Sequence, residues 1–280
     1  MGPTILLIVL CSICVVAYIY FYMNRPMSVK KNQLDFLLYQ PIAHRGLHSL
    51  ENKAPENSLK AFSLACEANY PIEIDIHLTS DERVIVFHDD DLKRMTGENG
   101  KIEEKSLEFI KTLNLANTDE KIPTLEETLN LVVGRVPLLI EFKGIGKAGK
   151  LEEKAYEILK RYNGRYAIQS FDFRKVTWFK KHAPHIMRGQ LAMNTKNEKN
   201  FSFLIKFVTT NMLTNFISRP HFASYRYTDV NKYGYKSFSK KGITFLWTVY
   251  DNQTATSLLN NKKIKCNNII FQDFIPDLNK

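Results

Sequence analysis

The chain has 280 residues, of which 44% are hydrophobic and 24% are charged, so it is long enough to bury the core of one large globular domain. Its four cysteines are too few and too scattered for a disulfide framework, which excludes a small disulfide-stabilised fold. The net charge of +10 suits an anionic substrate, nucleic acid or an anionic membrane surface, but no ribonucleoprotein strand or helix-turn-helix pattern supports nucleic acid.

The first 24 residues predict a membrane anchor. They contain no charged residue, and residues 4–23 are apolar almost throughout. A helix of about 20 residues crosses a hydrocarbon core of roughly 30 Å. One end of the stretch carries the aromatic residues expected at a membrane interface, Tyr18, Tyr20, Phe21 and Tyr22. A cleaved signal peptide is the alternative, although a basic leading region and a small-x-small cleavage site are lacking. We therefore expect a retained single-pass anchor at residues 1–24.

The basic residues beside this span suggest its orientation. Positive charges favour the cytoplasmic side of a membrane, and here they follow the span, at Arg25, Lys30 and Lys31. We therefore expect a cytoplasmic domain at residues 39–280, joined to the anchor by a linker at residues 25–38. Lysine clusters at 236–241 and 262–265 would suit an anionic leaflet, or more commonly a solvated surface.

Short apolar runs alternate with amphipathic stretches through the rest of the chain. This alternation is typical of parallel βα units, and eight main strands in about 240 residues fit a closed (β/α)8 TIM barrel. The predicted barrel strands are residues 41–45, 72–77, 137–142, 166–171, 187–192, 216–221, 243–249 and 268–271, and another apolar run covers 84–87. Helices are predicted at 58–68 and 107–113. Thr124 and Glu127 have the spacing of a capping box, which begins another helix.

The stretch Ile72–Asp89 carries an unusual set of polar residues. Because side chains alternate along a strand, Glu73, Asp75 and His77 share one face and isoleucines occupy the other. Burying a charge without a partner is costly, so such groups usually pair with a cation or bind a metal. A second apolar run then delivers His88 at its end. The pattern predicts a site rather than a purely structural strand.

Polar residues also recur at the carboxyl ends of other predicted strands, which is where the chemistry of a (β/α)8 barrel lies. The residues at these ends are His44 and Arg45, Glu73 and Asp75, Glu141 and Lys143, and Gln169 and Ser170, with Trp247 late in another strand. A buried structural network could account for one strand. Repetition over four strands favours a functional site.

Eight short motifs follow one another from about Pro41 to the carboxyl terminus: IAHRG, PENS, EIDIHLT, VFHDDDLKRMTG, IPTLEE, LLIEFK, QSFD and WTV. An HRG motif followed by E-x-D and then H-D is specific, because several rare polar residues must fall in the right order. In this order and spacing the motifs resemble the glycerophosphodiester phosphodiesterase family. The resemblance implies a (β/α)8 barrel with a small insertion after the second strand, here at about residues 90–123.

The resemblance also implies roles for individual residues. In the family a divalent cation, Ca²⁺ or Mg²⁺, is held by carboxylates that match Glu73, Asp75 and Glu141. The two histidines that act as acid and base match His44 and His88. The phosphate contacts match Arg45 and Lys143. The PEN element, which reaches the family's site, matches Glu56 and Asn57.

The chemistry of these residues agrees with the resemblance. Three carboxylates with no cysteine nearby suit a hard cation that takes oxygen ligands. Phosphodiester cleavage needs its non-bridging oxygens neutralised, which a metal with Arg and Lys can do. It also needs one group to take a proton from the nucleophile and another to protonate the leaving alkoxide, and two histidines can do both. The sequence leaves open which histidine has which role. It also leaves open whether the attacking oxygen belongs to water or to the substrate's own glycerol.

Several other residues have both structural and functional interpretations. Glu56 and Asn57 could simply precede the helix that begins near residue 58. Phe171 and Trp247 are barrel packing or the walls of a pocket for the alcohol group. His77 alone is more often structural, although it could hydrogen-bond a metal carboxylate. We expect a solvated loop for His48 and for the acidic run 89–91. The family's WTVN and T-D-x-P are WTVY and FQDFIP here, which leaves substrate choice open.

The sequence thus predicts a membrane-anchored enzyme that hydrolyses glycerophosphodiesters to sn-glycerol 3-phosphate and an alcohol with the help of a divalent cation. The first alternative is a lysophospholipase D activity on membrane lysophospholipids. The second is a non-catalytic barrel used as a binding or scaffolding protein, which the complete set of predicted site residues argues against.

Overall fold

A computed structural model describes residues 3–49 and 51–277, and within them eight parallel strands close into a barrel. The strands are β1 (Ile42–Ala43), β2 (Ile72–Leu78), β3 (Val84–Val86), β4 (Leu138–Phe142), β5 (Tyr166–Ser170), β6 (Met187–Ala192), β7 (Phe222–Arg226), β8 (Ile243–Val249) and β9 (Asn268–Phe271). Strand β1 pairs with both β9 and β2, which closes the barrel. Strand β3 lies outside it, antiparallel to β2. The predicted (β/α)8 TIM-barrel fold is confirmed.

Helices lie outside the barrel, and all but α1, which precedes β1, belong to the connections between strands. They are α1 (Pro3–Asn24), α2 (Leu59–Glu67), α3 (Lys93–Thr96), α4 (Leu107–Thr112), α5 (Leu125–Val132), α6 (Lys150–Leu159), α7 (Phe173–His182), α8 (Phe203–Thr210), α9 (Asn215–Ser218), α10 (Tyr233–Phe238) and α11 (Asn252–Asn260). The predicted capping box at the start of α5 is confirmed. The Glu127 amide donates to Thr124 Oγ1 at 3.1 Å, and the Thr124 amide donates to Glu127 Oε2 at 2.7 Å, which satisfies two backbone donors at the helix start.

The two faces of β2 have different environments, as the alternation of its side chains predicts. Its isoleucines are buried between the barrel and the outer helices, whereas Glu73, Asp75 and His77 point the other way. The lower part of the barrel interior is apolar and includes Phe222 and Phe245. Acidic and basic side chains replace these apolar residues towards the carboxyl ends of the strands, and there the interior opens as a cavity.

The predicted linker, residues 25–38, contributes to the barrel itself. Leu34 and Leu37 are completely buried and pack with the apolar residues at the amino-terminal end of the strands. The side-chain amide of Asn268, at the start of β9, donates to Leu37 O and Gln40 O, both at 2.6 Å. The segment therefore closes the floor of the barrel.

The strand predicted at residues 216–221 is wrong. Residues Asn215–Ser218 form the short helix α9, Arg219 adopts a left-handed conformation (φ 46°), and strand β7 begins only at Phe222. The strand was predicted too early in the chain because Phe216 and Ile217 are both large and apolar. The true strand is less apolar, since it mixes small and polar residues with its aromatic ones. The Phe222 ring needs the adjacent Gly189 on β6, because a Cβ there would lie 2.1 Å from it.

The segment predicted as an insertion, residues 90–123, packs on a small core of its own. This core joins Ile85 and Phe87, from the β3 arm, to residues of the segment, namely Leu92, Met95, Ile102, Ile110, Leu115 and Ile122. Because residues 90–123 have this core of their own, they hold a fixed position beside the carboxyl end of β2. It positions Arg94 and the loop that carries His88 at the cavity.

Helix α1 is attached to the barrel by its last two turns. Among the described residues, Thr4–Asn24 is the one helix that by length and composition could cross a membrane, with a mean hydropathy of 2.6. Tyr20 Oη donates to Asn211 Oδ1 at 2.8 Å, and Asn24 Nδ2 donates to Asn211 O at 2.7 Å. Just beyond the helix, the Met27 amide donates to Pro220 O at 2.8 Å. Residues 4–16, in contrast, are all exposed and make no hydrogen bond to the barrel among the described residues.

Candidate active site

Three buried carboxylates meet on neighbouring strands of the barrel. Asp75 on β2 lies opposite Glu141 on β4 in the parallel register, and Glu73 lies two residues earlier on the same face of β2. One oxygen from each of the three lies within 4.8 Å of the others. The structure thus brings together all three residues that the sequence analysis assigned to a metal.

The electrostatics of this cluster are unfavourable without a further positive charge. Burial, together with the charges of Asp75 and Glu141, raises the pKa of Glu73 well above its usual range. Burial likewise raises the pKa of Glu141 to about 7. Burial opposes ionisation of Asp75 too, but the charges of Lys143, His88 and Arg45 outweigh it and hold the pKa of Asp75 below its usual range. Like charges held this close cannot all ionise without a counterion.

Two basic residues neutralise only part of this charge. Lys143 Nζ lies 2.9 Å from Glu141 Oε1 and 3.3 Å from Asp75 Oδ1. The Arg45 amide donates to Glu73 Oε2 at 3.2 Å. The Arg45 guanidinium is shared: it hydrogen-bonds Glu56 at 2.7 Å, and its Nε lies 3.5 Å from Asp75 Oδ2. Asp75 Oδ1 is buried and, apart from the ion-pair contact with Lys143, accepts no hydrogen bond from the described residues. Three carboxylates that share one lysine and one arginine fit a hard divalent cation.

His44, just after β1, lies against a side-chain amide at the far side of the cavity. His44 Nδ1 is 2.7 Å from Gln272 Oε1, and Gln272 Nε2 donates to Asp273 Oδ2 at 2.9 Å. The Asp273 acceptor orients the Gln272 amide so that its oxygen faces the ring, which places the imidazole proton on Nδ1. Burial and the charge of Arg45 lower the pKa of His44 to about 3. His44 is thus a neutral imidazole. Within residues 3–49 and 51–277 no hydrogen bond is made to its Nε2, so this nitrogen can accept a proton.

His88, after β3, is paired with a carboxylate instead. Its Nδ1 is 2.6 Å from Asp89 Oδ1, and Arg94 clamps the same carboxylate through bonds of 2.6 and 2.9 Å. His77 Nε2 lies 3.2 Å from His88 O, so His77 supports the His88 backbone. Burial lowers the pKa of His88, while the charge of Asp75 and the hydrogen bond that the ring donates to Asp89 oppose that effect. An adjacent carboxylate favours the imidazolium form more than a neutral amide does.

Two residues of the PEN element, Glu56 and Asn57, contact charged residues of the site. Asn57 adopts a left-handed conformation (φ 56°), and its Nδ2 donates to Asp75 Oδ2 at 2.9 Å, so it orients a carboxylate from below the cavity. Glu56 lines the cavity and is gripped by Arg45 and by both terminal nitrogens of Arg94, at 2.7–3.0 Å. Glu56 and Asn57 therefore do more than precede α2, because both contact residues of the site.

An apolar wall faces the charged groups across a cavity of about 400 Å³. Phe171 and Trp247 meet edge to face with ring centroids 5.7 Å apart, and Leu191, Tyr250 and Ile270 also line the cavity. Phe171 is 38% exposed, so it is not ordinary core packing. The cavity thus combines one strongly charged end with one apolar side.

The profile of the glycerophosphoryl diester phosphodiesterase family matches residues 44–268, the part of the chain that contains this cavity. The chain belongs to this family. It is therefore a phosphodiesterase by class, and the family resemblance of the motifs is confirmed.

Known relatives and solved structures agree with this membership. The chain is 32% identical over 227 residues, 78% of its length, to YhdW of Bacillus subtilis, a candidate glycerophosphodiester phosphodiesterase of which 88% is covered. It is 37% identical over 161 residues to the glycerophosphodiester phosphodiesterase of Caldanaerobacter subterraneus, covering 54% of this chain and 65% of that protein. The fold matches the Thermotoga maritima enzyme (TM-score 0.61, 28% identity, 83% and 94% coverage). It also matches an Oleispira antarctica phosphodiesterase in complex with sn-glycerol-3-phosphate (TM-score 0.67, 24% identity, 85% and 94% coverage).

The geometry of this glycerophosphodiester phosphodiesterase site adds residues that the sequence analysis missed. Asp89 was expected in a solvated loop, but it contacts His88 and is half-buried by Arg94. Arg94 and Gln272 line the cavity and complete the two histidine networks. The MTG-containing motif already pointed to the region of Arg94. The contact of Gln272 with His44 spans 228 positions and had no local signal.

Proposed function

We propose that the protein hydrolyses glycerophosphodiesters to sn-glycerol 3-phosphate and an alcohol, with the help of Ca²⁺ or Mg²⁺. The observation that carries this proposal is the buried carboxylate cluster, Glu73, Asp75 and Glu141, in one cavity with two histidines of opposite environment. The name of the Caldanaerobacter relative, 37% identical over the part it shares, supports the substrate class. Family membership alone gives the reaction class.

The three carboxylates would hold the cation, and Asn57 would keep Asp75 in place for it. Bound there, the cation would neutralise charge on the phosphoryl oxygens. Lys143, whose pKa rises because the charges of Glu141 and Asp75 outweigh burial, stays protonated beside the cluster. Arg45 stands at the same edge of the cavity. These two cations bind the phosphodiester and orient it.

The two histidines divide the proton transfers. His44 is neutral with Nε2 free, so it takes the proton of the attacking oxygen. His88 has Asp89 to stabilise its imidazolium, so it donates a proton to the leaving alkoxide. As the new P–O bond forms, the bond to the alcohol oxygen breaks with its electron pair on that oxygen, and the proton from His88 neutralises it. The apolar wall of Phe171 and Trp247 accommodates the glycerol carbons or the alcohol.

We further propose that α1 is retained as a single-pass anchor with the barrel on the cytoplasmic side. A segment removed by signal peptidase has no need to fit the mature domain, yet Tyr20 and Asn24 hydrogen-bond Asn211. Arg219 also lies over the Tyr22 ring, 4.6 Å from its centroid. Detecting the amino-terminal residues in the mature membrane fraction by mass spectrometry tests retention. Protease accessibility of the barrel in sealed vesicles tests the side.

The deciding experiment measures glycerol 3-phosphate released from glycerophosphocholine by the full chain, in EDTA, Ca²⁺ or Mg²⁺. Hydrolysis that needs a divalent cation and is lost in Glu73→Gln and His44→Ala supports the proposal. If the parent protein is folded by circular dichroism but releases no glycerol 3-phosphate, the proposal is wrong and a binding or scaffolding role is favoured. Val133→Ser, an exposed change away from the cavity, serves as the control.

A lysophospholipase D activity is the second candidate, and the apolar wall of the cavity favours it. Leu191, Phe171 and Tyr250 could accommodate carbon atoms of a lipid-bearing substrate, whereas a fully soluble diester has little to place there. The human Lysophospholipase D GDPD1 is 29% identical over 157 residues, covering 51% of this chain and 48% of that protein. Comparing lysophosphatidylcholine with glycerophosphocholine as substrates separates the two activities.

A further inference from the structure

Helix α8 has its apolar residues on the outside. Phe203 is 85% exposed, Leu204 67%, Ile205 46% and Phe207 47%, and every residue of the helix is at least partly exposed. A surface helix of a globular protein normally turns its apolar face to the core and its polar face to water. Contiguous exposed apolar residues on this scale mark a surface that meets another apolar phase.

The inner side of α8 is held by hydrogen bonds at its carboxyl-terminal threonines. Thr195 Oγ1 lies 2.9 Å from Thr209 Oγ1 and 3.1 Å from Thr210 Oγ1, and Tyr225 Oη donates to Thr210 O at 2.8 Å. These hydrogen bonds fix the helix to the carboxyl end of β6 and to β7. The apolar face of α8 therefore points outwards because these hydrogen bonds hold the opposite side against the barrel. Rotating the helix to bury its apolar face would break them.

Helix α1 and α8 extend on the same side of the barrel. Along α1, Tyr20 contacts Asn211 and Asn24 accepts from Asn215 Nδ2 at 3.3 Å, and beyond its end Met27 contacts Pro220. The segment 211–220 runs from the carboxyl end of β6 to the amino end of β7, so α1 runs beside it in the same direction. The free part of α1, residues 4–16, consequently projects beyond the carboxyl ends of the strands, where the cavity opens.

The free part of α1 is too short to cross a membrane by itself. Thirteen residues, Thr4–Val16, make about 20 Å of helix at 1.5 Å per residue, whereas the hydrocarbon core is roughly 30 Å thick. Residues from Ala17 onwards, which lie against the barrel, must therefore enter the membrane as well. The barrel surface beside them consists of α9, α10 and Asn211 at the carboxyl end of α8. This surface therefore has to approach the interface, and α8 adjoins it.

We propose that α8 is a second membrane-contacting element, which lies in the lipid interface beside α1 and holds the active-site face of the barrel against the bilayer. The inference rests on the proposed anchoring by α1, whose Tyr20 and Asn24 hydrogen-bond Asn211 at the carboxyl end of α8. Tyr233, 80% exposed, extends the patch, since the adjoining Gly234 abuts Thr210 and Asn211. The exposed Lys196 and Lys199 precede α8 and suit the phosphate groups of the leaflet. In this pose the cavity takes its substrate from the lipid surface.

The test places a fluorescent reporter on α8 in the full chain, reconstituted into vesicles of phosphatidylcholine and phosphatidylglycerol. Phe207→Trp and, separately, Leu204→Trp are measured with and without lipids brominated in the acyl chain, after subtracting the parent's own tryptophan emission. Val133→Trp, on an exposed residue at the end of α5, is the matched control. We expect brominated lipid to remove a large part of the emission that the α8 variants add, and little of that added by the control.

The inference is overturned if brominated lipid quenches the added emission of both α8 variants no more than it quenches that of the control. If a second copy or a protein partner covered the patch instead, the reporters would stay insensitive and the detergent-solubilised chain would have a larger mass, which also overturns it. The readout needs no catalysis. A chain inactive on all diesters but quenched on α8 would therefore disprove the proposed function alone.

A functional measurement follows from the same geometry. The triple variant Phe203→Ser/Leu204→Ser/Phe207→Ser changes only exposed side chains, so its melting temperature should match that of the parent. We expect it to turn over lysophosphatidylcholine in vesicles several-fold more slowly than the parent and to hydrolyse soluble glycerophosphocholine at the parent's rate. An unchanged ratio of the two rates overturns the inferred orientation of the cavity.

Discussion

Asp75 and Glu141 lie opposite each other on adjacent parallel strands, and the ammonium of Lys143 contacts both, at 3.3 and 2.9 Å. One lysine shared by two carboxylates, with Glu73 buried beside them, leaves an excess of negative charge in the barrel. This excess is the physical basis for cation binding. It also means that the site is maintained at a cost to the stability of the cation-free fold.

The first prediction follows from that cost. Glu73 has a folded pKa above its ordinary value because of burial and of the charges of Asp75 and Glu141. An acid with a raised pKa destabilises the fold as pH rises above the unfolded value and through the folded one. In EDTA at pH 8, Glu73→Gln should therefore melt higher than the parent, by about 2–4 °C for each kcal/mol recovered. Ca²⁺ or Mg²⁺ should raise the melting temperature of the parent much more than that of the variant.

A second buried glutamate provides the control for this prediction. Glu152 is paired with Lys175 at 2.8 Å, away from the cavity. Breaking that buried pair with Glu152→Gln should lower the melting temperature in both buffers and leave the response to cations unchanged. A Glu73→Gln variant that melts lower than the parent in EDTA at pH 8 would contradict the account.

Site residues could be predicted from the sequence where a short motif places them, but not where the contact joins residues far apart in the chain. The E-x-D alternation on β2 and the E-x-K motif on β4 place their residues by strand geometry alone, so Glu73, Asp75 and Glu141 could be predicted. The network around His88 could not be read in the same way. Arg94 reaches Glu56 and Asp89 only because residues 90–123 fold on a separate core.

Parts of the fold escaped prediction because tertiary packing outweighed local pattern. Two large apolar residues at 216–217 suggested a strand, yet the chain needed a helix and a left-handed Arg219 before Pro220 to enter β7 in register. The segment 25–38 was predicted as a linker because residues 25–33 are mostly polar, but Leu34 and Leu37, which follow, fill the barrel floor. The outward face of α8 could be recognised only once Thr195 was seen to hold its polar side.

The second prediction concerns the proposed general acid. Asp89→Asn removes the carboxylate that supports the charged form of His88, so the pKa of His88 should fall further. The protonated acid is then lost at lower pH, and the basic limb of the pH profile of kcat/KM should move to lower pH. We expect kcat near neutral pH to fall by about 10- to 100-fold, since general acid catalysis is worth about 10²–10⁴-fold.

Asp91→Asn is the matched control for Asp89, because Asp91 belongs to the same acidic run but caps the Lys93 amide at 2.7 Å. It should leave the pH profile unchanged. A basic limb that stays in place in Asp89→Asn would assign the proton donor elsewhere.

The third prediction concerns the proposed general base. Gln272 presents a neutral oxygen to His44 Nδ1, and burial together with the charge of Arg45 lowers the pKa of His44 to about 3. Gln272→Glu would place a negative charge there, which favours the imidazolium and raises that pKa. The free base then exists only at higher pH, so the acid limb of kcat/KM should move to higher pH while activity at high pH is retained.

The neighbouring Asp273 allows a check on the cause of this shift. A new carboxylate at position 272 would repel Asp273, which the double variant Gln272→Glu/Asp273→Asn avoids. The shift of the acid limb should persist in the double variant, because it arises from the charge beside His44. If the limb stayed where the parent has it in both variants, His44 would not be the base.

The fourth prediction concerns stability and lies outside the active site. His221 is buried, and burial followed by the charge of Arg188 lowers its pKa to about 4. Its Nδ1 accepts a hydrogen bond from the Arg188 amide at 3.1 Å, which requires the neutral ring. The unfolded chain binds a proton there near pH 6.5 and the folded chain only near pH 4. Stability should therefore fall as pH decreases through this interval, by about 3 kcal/mol in total.

His221→Asn tests this linkage directly, because an asparagine oxygen can still accept from the Arg188 amide but takes no proton. The free energy of unfolding from urea titrations at pH 7 and pH 4.5 should drop less between the two values in the variant than in the parent. His182→Asn, at an exposed histidine outside this buried contact, is the matched control and should keep the parent's pH dependence. Parallel pH dependences for His221→Asn and the parent would mean that His221 takes up its proton in the folded chain, and that its burial does not limit stability in acid.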